Sequence, residues 1–305
     1  MKASKPSTIG RVEAFHRIVF DWFKKNGRDL PWRKTRSPYA IALSEIMLQQ
    51  TQVDRVIPKW RAFLLAFPTW ADLAEASTAD VIRLWQGLGY NRRAVMLHRI
   101  AKEVIDLGGE LPNDIDAMKK LPGIGDYTAN AIAAFAFRNP DAAPVDTNIS
   151  RIFRRVFPRH RSDPKSVQRF AKSIAPKDTW TWNHALMDIG ALHCSVRGHV
   201  WGLCPLAPLH GSKEPKTTLP FTKGESEGVK KPIKFETTDR YFRGRIVDAL
   251  REGSMTLKKL LSRSELVDLD EKRFQTLIRR LVHGGVVEQR GNTVFLAGDD
   301  VKAKL

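Results

Sequence analysis

The stretch Leu121-Pro122-Gly123-Ile124-Gly125-Asp126-Tyr127-Thr128 constrains this chain more than any other, because it must turn sharply between two segments of helical periodicity. Gly123 and Gly125 allow positive φ in the turn, and they remove the side chains that would keep an anion away from the backbone N–H groups. A helix starting near Thr128 would add the positive end of its dipole at the same point. The turn therefore reads as a phosphate-sized anion site. Val145-Asp146-Thr147-Asn148 follows, with Asp146 nineteen residues past Tyr127.

Helical patterns dominate what surrounds it. Val12, Phe15, Ile18, Val19, Trp22 and Phe23 recur at helical spacing over residues 11–25, and Asn26-Gly27 stops that run. Ser37-Pro38 opens a second helix carrying Ile41, Leu43, Ile46, Met47 and Leu48, with Glu45 among them. Further helices are predicted over residues 52–67, 69–75, 78–86, 92–107 and 114–120, and after the hairpin over 149–157, 164–174 and 179–194. Residues 130–137 are small and apolar on every side, as in a helix buried in a bundle. From 211 to 235 the composition turns to Lys, Pro, Gly, Ser, Thr and Glu without period, which reads as a linker. Beyond it, helices over 240–251, 256–262 and 271–283 precede two short strands around the turn Arg290-Gly291-Asn292. That order predicts a small winged-helix domain over residues 236–305.

The 51 Lys and Arg against 33 Asp and Glu give a net charge of +18, which calls for a polyanionic partner. Nucleic acid fits. A membrane does not, since the bases are scattered and no long apolar run accompanies them. The first residues carry no apolar signal core, and two cysteines suit a reducing compartment, so a cytoplasmic, nucleoid-associated monomer is expected.

Several motifs in fixed order carry a resemblance. Leu30-Pro31-Trp32-Arg33, Pro38-Tyr39, the run from Leu43 to Val53 (L-S-E-I-M-L-Q-Q-T-Q-V), Trp85-Gln86-Gly87-Leu88-Gly89-Tyr90, the glycine hairpin and Leu186-Met187-Asp188-Ile189-Gly190-Ala191 resemble the helix-hairpin-helix base-excision DNA glycosylases, specifically the MutY-like adenine DNA glycosylase branch. The resemblance implies an all-α, two-lobed fold over residues 1–210, with a six-helix lobe at about 30–140 and a second lobe made by the N-terminal helix and about 141–210. It implies a partner, duplex DNA containing a mispair, and an enzyme that hydrolyses a base from the sugar. The C-terminal domain departs from the branch, whose second domain has a different, Nudix-like fold.

Cleaving an N-glycosidic bond takes a proton for the leaving base and negative charge beneath the sugar cation, so two carboxylates in different surroundings are needed. Glu45, on an apolar helix face, would be kept protonated by desolvation, and the resemblance makes it the acid. Asp146 would be kept ionised by donors at a helix N-terminus, and the resemblance makes it the stabiliser of the sugar cation; its plainer reading is an N-cap. Tyr127 and Asn148 match positions that orient the carboxylates and water. Strand-cleaving lyases of the superfamily carry lysine where this chain has Tyr127, so a hydrolase without lyase activity is expected. Base flipping needs a plug in the stack, and Gln50, Leu88 and Tyr90 match the intercalating and opposite-base positions, with Thr51 beside them. Gly123, Gly125 and Arg151 complete the expected DNA contacts, and Arg92, Arg93, Arg154 and Arg155 flank the same motifs. Thymine or uracil opposite guanine is the alternative substrate, and a DNA-binding module that has lost catalysis is the alternative class.

The family's [4Fe-4S] cluster takes four cysteines, at places that fall here on Cys194, Trp201, Cys204 and His210. Two thiolates are missing, so no cluster and no metal are expected, with Trp201 filling the space. Zinc on Cys194, Cys204, His210 and either His193 or His199 is the alternative.

Overall fold

The computed structural model describes residues 8–157, 163–194, 201–210 and 234–299. They are largely helical up to residue 210, and many of the helices begin where the sequence supplies a capping side chain or a proline. The helices are α1 (Thr8–Asn26), α2 (Pro38–Leu48), α3 (Val53–Ala66), α4 (Trp70–Glu75), α5 (Thr78–Leu84), α6 (Arg92–Asp106), α7 (Ile115–Met118), α8 (Asp126–Phe135), α9 (Thr147–Val156), α10 (Pro164–Ser173) and α11 (Thr179–Leu192). Thr69 and Asp163 close capping boxes on α4 and α10, and Ser77, Asp114 and Asp178 cap α5, α7 and α11. The expected buried helix is α8, which starts at Asp126, earlier than its apolar run suggested. A 3₁₀ turn, Pro31–Lys34, was not expected.

Two units emerge from the packing. In the first, formed by residues 1–41, 113–119 and 124–228, α1 lies along α11 and α11 along α9. Phe15 on α1 makes edge contacts with Phe153, Phe157 and Trp182 at ring-centre distances of 5.9, 5.3 and 5.1 Å, each a favourable aromatic geometry. A buried ion cluster locks this unit. Asp188, with no side-chain exposure, accepts from Arg33 Nη1 and Nη2 at 2.9 and 2.7 Å and from Arg28 N and Nε at 2.9 and 2.8 Å. Burial alone would raise its pKa, but the two guanidiniums hold the carboxyl below its usual range. The L-P-W-R and L-M-D-I-G-A motifs are thus two halves of one anchor.

The second unit comprises residues 42–112, 120–123 and 229–305. It contains most of α2, helices α3 to α6 and the C-terminal segment. That segment holds α12 (Asp239–Leu250), β1 (Met255–Thr256), α13 (Leu257–Leu261), α14 (Glu271–His283), β2 (Val287–Arg290) and β3 (Thr293–Leu296). The strands form an antiparallel sheet in the order β1-β3-β2, with Val294 opposite Met255 and Leu296 opposite Val287. Three helices and a three-stranded sheet make the expected winged helix, whose first strand, only two residues long, escaped the sequence reading. It packs on the helices of residues 42–112: Arg83 pairs with Asp299 at 2.6 Å, and Arg251 donates to Asn91 Oδ1 at 3.1 Å. The expected linker lies outside the described residues as far as 233, and a 3₁₀ turn, Phe235–Thr237, leads into α12.

Candidate active site

In the first unit the structure brings together Asp146, Asn148, Arg151 and α11. Asp146 is the N-cap of α9, its Oδ1 accepting from Ile149 N at 2.7 Å, while Oδ2 accepts from Asn148 Nδ2 at 3.2 Å. Asn148 Oδ1 in turn accepts from Arg151 Nη1 at 3.0 Å. Arg151, expected on phosphate, spends that nitrogen internally, on Asn148 and on the carbonyl of Cys194. The donors foreseen around Asp146 are present. Burial nevertheless outweighs them and raises the carboxyl above its ordinary pKa, against the lowering by Ile149 N, Asn148 and Arg151. A half-dry carboxylate acts on a nearby cation more strongly than one in water.

Asn130 reinforces this loop, and no motif singled it out. Its Nδ2 donates to Asp126 O at 2.8 Å and its Oδ1 accepts from Ala143 N at 3.0 Å, tying the chain just before Asp146 to α8. Tyr127, half-buried, sits in the first turn of the same helix. The signal for Asn130 was a buried amide in an otherwise apolar helix.

The two hairpin glycines divide the work. Gly123 sits at φ +80°, a conformation that disfavours side chains, above the side chain of Met96. Gly125 is extended at φ −94° and caps α8; a Cβ there would meet nothing within 4 Å. Its role is an open approach to the α8 N-terminus rather than a special dihedral.

In the second unit, Glu45 lies on α2 with 6% exposure, among buried Ala42, Leu43, Ser44, Ile46 and Met47. Glu45 is thus buried on the apolar face of α2, as its sequence neighbours suggest. The end of α2 meets the loop before α6 through Arg93, in the first turn of α6, whose Nη1 donates to the carbonyls of Ile46 and Met47 at 3.0 and 2.7 Å. Its Nη2 reaches Thr51 Oγ1 at 2.9 Å and the carbonyls of Leu88 and Gly89 at 3.0 and 3.1 Å. Sequence reading had placed Arg93 with phosphate. It is instead a cap for α2 and a brace between two loops, and burial lowers its pKa to about 10, which leaves it charged at neutral pH. Gln50 and Tyr90 project from these loops with φ of +57° and +49°. Such backbone strain in side-chain-bearing residues is a mark of functional loops. Both are exposed, Tyr90 at 37%, whereas Leu88, expected beside them on the DNA, is buried at 5% and packs within the fold.

The donor set at the cluster corner does not fit an iron–sulfur group. Cys194 and Cys204 are the chain's two cysteines, and tryptophan offers no ligand atom at position 201. Cys194 Sγ instead accepts from Arg155 Nη1 at 2.9 Å, and burial raises its thiol pKa; Cys204 Sγ lies 3.8 Å from His210 Nε2. The space expected for the Trp201 side chain and His199 lies outside the described residues. Among the described residues no three His, Cys, Asp or Glu side chains gather as a metal site, and no helix is long and apolar enough to cross a membrane.

Comparison with known proteins agrees with this architecture. Residues 43–177 match the HhH-GPD superfamily base excision DNA repair protein family. An adenine DNA glycosylase of Mycolicibacterium smegmatis is 35% identical over 292 residues, covering 92% of this chain and 95% of its own. A thymine/uracil-DNA glycosylase of Pyrobaculum aerophilum is 32% identical over 204 residues, 63% of this chain and 88% of that protein. The solved structure of a thermostable thymine-DNA glycosylase superposes with a TM-score of 0.64 at 29% identity, covering 68% of this chain and 98% of that one. The chain belongs to the HhH-GPD superfamily of base-excision DNA repair proteins as a MutY-like, DNA-binding glycosylase that hydrolyses N-glycosidic bonds.

Proposed function

We propose that this glycosylase removes adenine mispaired with guanine or 8-oxoguanine from duplex DNA, as a hydrolase without lyase activity. The observation that carries the reading is the Asp146–Asn148 pair: a half-buried carboxylate whose two oxygens are fixed by one backbone and one amide donor, at 2.7 and 3.2 Å. Relatives named adenine DNA glycosylase support the substrate.

In this mechanism Glu45, buried in α2, gives its proton to a ring nitrogen of the leaving adenine. The C1′–N bond breaks with its electron pair going to the base, and Asp146 stabilises the oxocarbenium sugar left behind. Water then adds at C1′ and loses a proton, leaving an abasic site. Tyr127 offers no amine to form a Schiff base with that sugar, so the strand stays intact. The chemistry uses no iron–sulfur cluster, consistent with a corner that supplies two thiols. Residues 1–210 would form the catalytic domain, acting as a monomer in the cytoplasm, with residues 236–305 appended.

Thymine or uracil opposite guanine is the second reading, favoured by likeness to a thymine/uracil-DNA glycosylase over 63% of the chain. Four duplexes, carrying A·G, A·8-oxoguanine, T·G and U·G, decide between them when alkali-labile sites are measured with and without the alkali. Release of adenine alone is expected, with no nicking before alkali. Release of pyrimidine alone would overturn the substrate, tight binding without any release would leave a binding module, and nicking before alkali would restore a lyase.

A further inference from the structure

The winged helix and the Gln50 and Tyr90 loops line one groove of about 1120 Å³, within a single unit of the fold. Its walls carry nine arginines and one carboxylate, Asp248. Asp248 is taken by Arg245 and Arg251, while Arg280 pairs with Asp239, outside the lining. Arg55 and Arg92 on one wall, and Arg240, Arg243 and Arg279 on the other, pair with no carboxylate among the described residues. Five unneutralised guanidiniums facing one trough are costly for an isolated protein and favourable around a polyanion.

Two further features of the groove bear on what it could hold. Arg240 lies 4.1 Å from the centre of the Tyr90 ring and 5.7 Å from that of Phe235, so its guanidinium is held by aromatic faces and keeps its N–H edge for a ligand. Gly244 stands in the middle of α12, where glycine costs about 1 kcal/mol relative to alanine, yet a Cβ there would meet nothing within 4 Å. Packing within the chain does not require that glycine. The bare surface at Gly244 leaves room for a ligand backbone to approach the helix.

We propose that the winged helix is a second DNA grip, in which Arg240, Arg243 and Arg279 hold the phosphates of a strand running past Gln50 and Tyr90 across the bare surface at Gly244. This inference rests on the protein being a DNA-binding glycosylase, but not on which base it excises. Each neutralised phosphate releases counterions, so each arginine should contribute about one unit to the dependence of log affinity on log salt.

The test is binding of full-length protein to an undamaged duplex over a series of salt concentrations, which is independent of excision. The triple variant Arg240→Ala, Arg243→Ala, Arg279→Ala should bind with a slope shallower by about 2–3 and lose at least tenfold in affinity at about 0.1 M salt. Gly244→Leu, which keeps every charge, should lose affinity comparably while its melting temperature holds. Wild-type slope and affinity in the triple variant, or wild-type affinity in Gly244→Leu, would overturn the grip. If no mispair is cleaved but these losses appear, the excision reading fails and the grip stands.

Discussion

Asn148 and Gly190 stand closer than any side chain at position 190 allows: a Cβ there would lie 2.9 Å from Asn148 Cβ and 3.6 Å from Ile152 Cδ1. The glycine of the L-M-D-I-G-A motif thus lets α11 press against the first turn of α9, where Asn148 is aimed at Asp146.

Gly190→Ala should push that turn away. Overpacking of this kind costs about 1–3 kcal/mol, and displacing a catalytic group by up to an ångström costs as much as about 10²-fold in rate. The expected result is a modest fall in melting temperature with a much larger fall in single-turnover excision, while binding to undamaged duplex persists. Wild-type rate in Gly190→Ala would show that the close approach has no bearing on the chemistry.

Asp146→Asn separates the two roles of Asp146. Asparagine caps a helix about as well as aspartate, so α9 should keep its stability to within a few tenths of a kcal/mol. It cannot stabilise a cation by charge. Excision should fall at least about 10²-fold with the melting temperature nearly unchanged. If activity survives this substitution, Asp146 is a cap and nothing more.

How much of this was legible before the structure depends on distance along the chain. The glycine hairpin and the capping role open to Asp146 are set by residues close together in the chain, and the local sequence exposes them. Arg93 bridging to Met47, forty-six residues away, and Arg33 reaching Asp188, 155 residues away, are invisible to periodicity. An arginine in a helical pattern reads as a solvated face until its acceptors are placed. The burial of Glu45 was legible because most of its neighbours on the helix are apolar. The strain at Gln50 and Tyr90 was not, since neither is a residue type that announces positive φ. Strand β1 was missed because two residues show no alternation.

His184 gives the protein an acid-sensitive core. Its ring stacks on Phe135 at 4.1 Å with planes 9° apart, and neither ring nitrogen finds a hydrogen-bond partner among the described residues. Burial, then the positive charges of Arg33, Arg138 and Arg28, hold its pKa well below the ordinary 6.5. The unfolded chain takes up a proton near that value while the folded chain refuses it. The stabilising contribution is therefore complete above about pH 6.5 and is lost as pH falls below it, by about 1.4 kcal/mol per pH unit. His184→Phe should flatten the dependence of unfolding free energy on pH between about 6.5 and 5, leaving the smaller slopes from His98 and His193, whose pKa values burial also lowers. Denaturant titrations at the two pH values measure it, and parallel curves for variant and wild type would sink the assignment.

The cysteine corner offers the last prediction. Cys194 and Cys204 are buried, and burial raises both thiols above their usual pKa, so they are neutral near pH 7. Arg155 donates to Cys194, and Arg151 joins the carbonyl of Cys194 to Asn148, so hydrogen bonds connect this corner to the Asp146 turn. Cys194→Ala with Cys204→Ala removes only the two thiol groups, at a packing cost of up to about 1–2 kcal/mol each. The purified double variant should melt several degrees lower and retain excision within about threefold, and iron chelators should leave wild-type activity unchanged. Broad visible absorbance in wild-type protein that disappears in the double variant together with its activity would mean that a cluster assembles there after all.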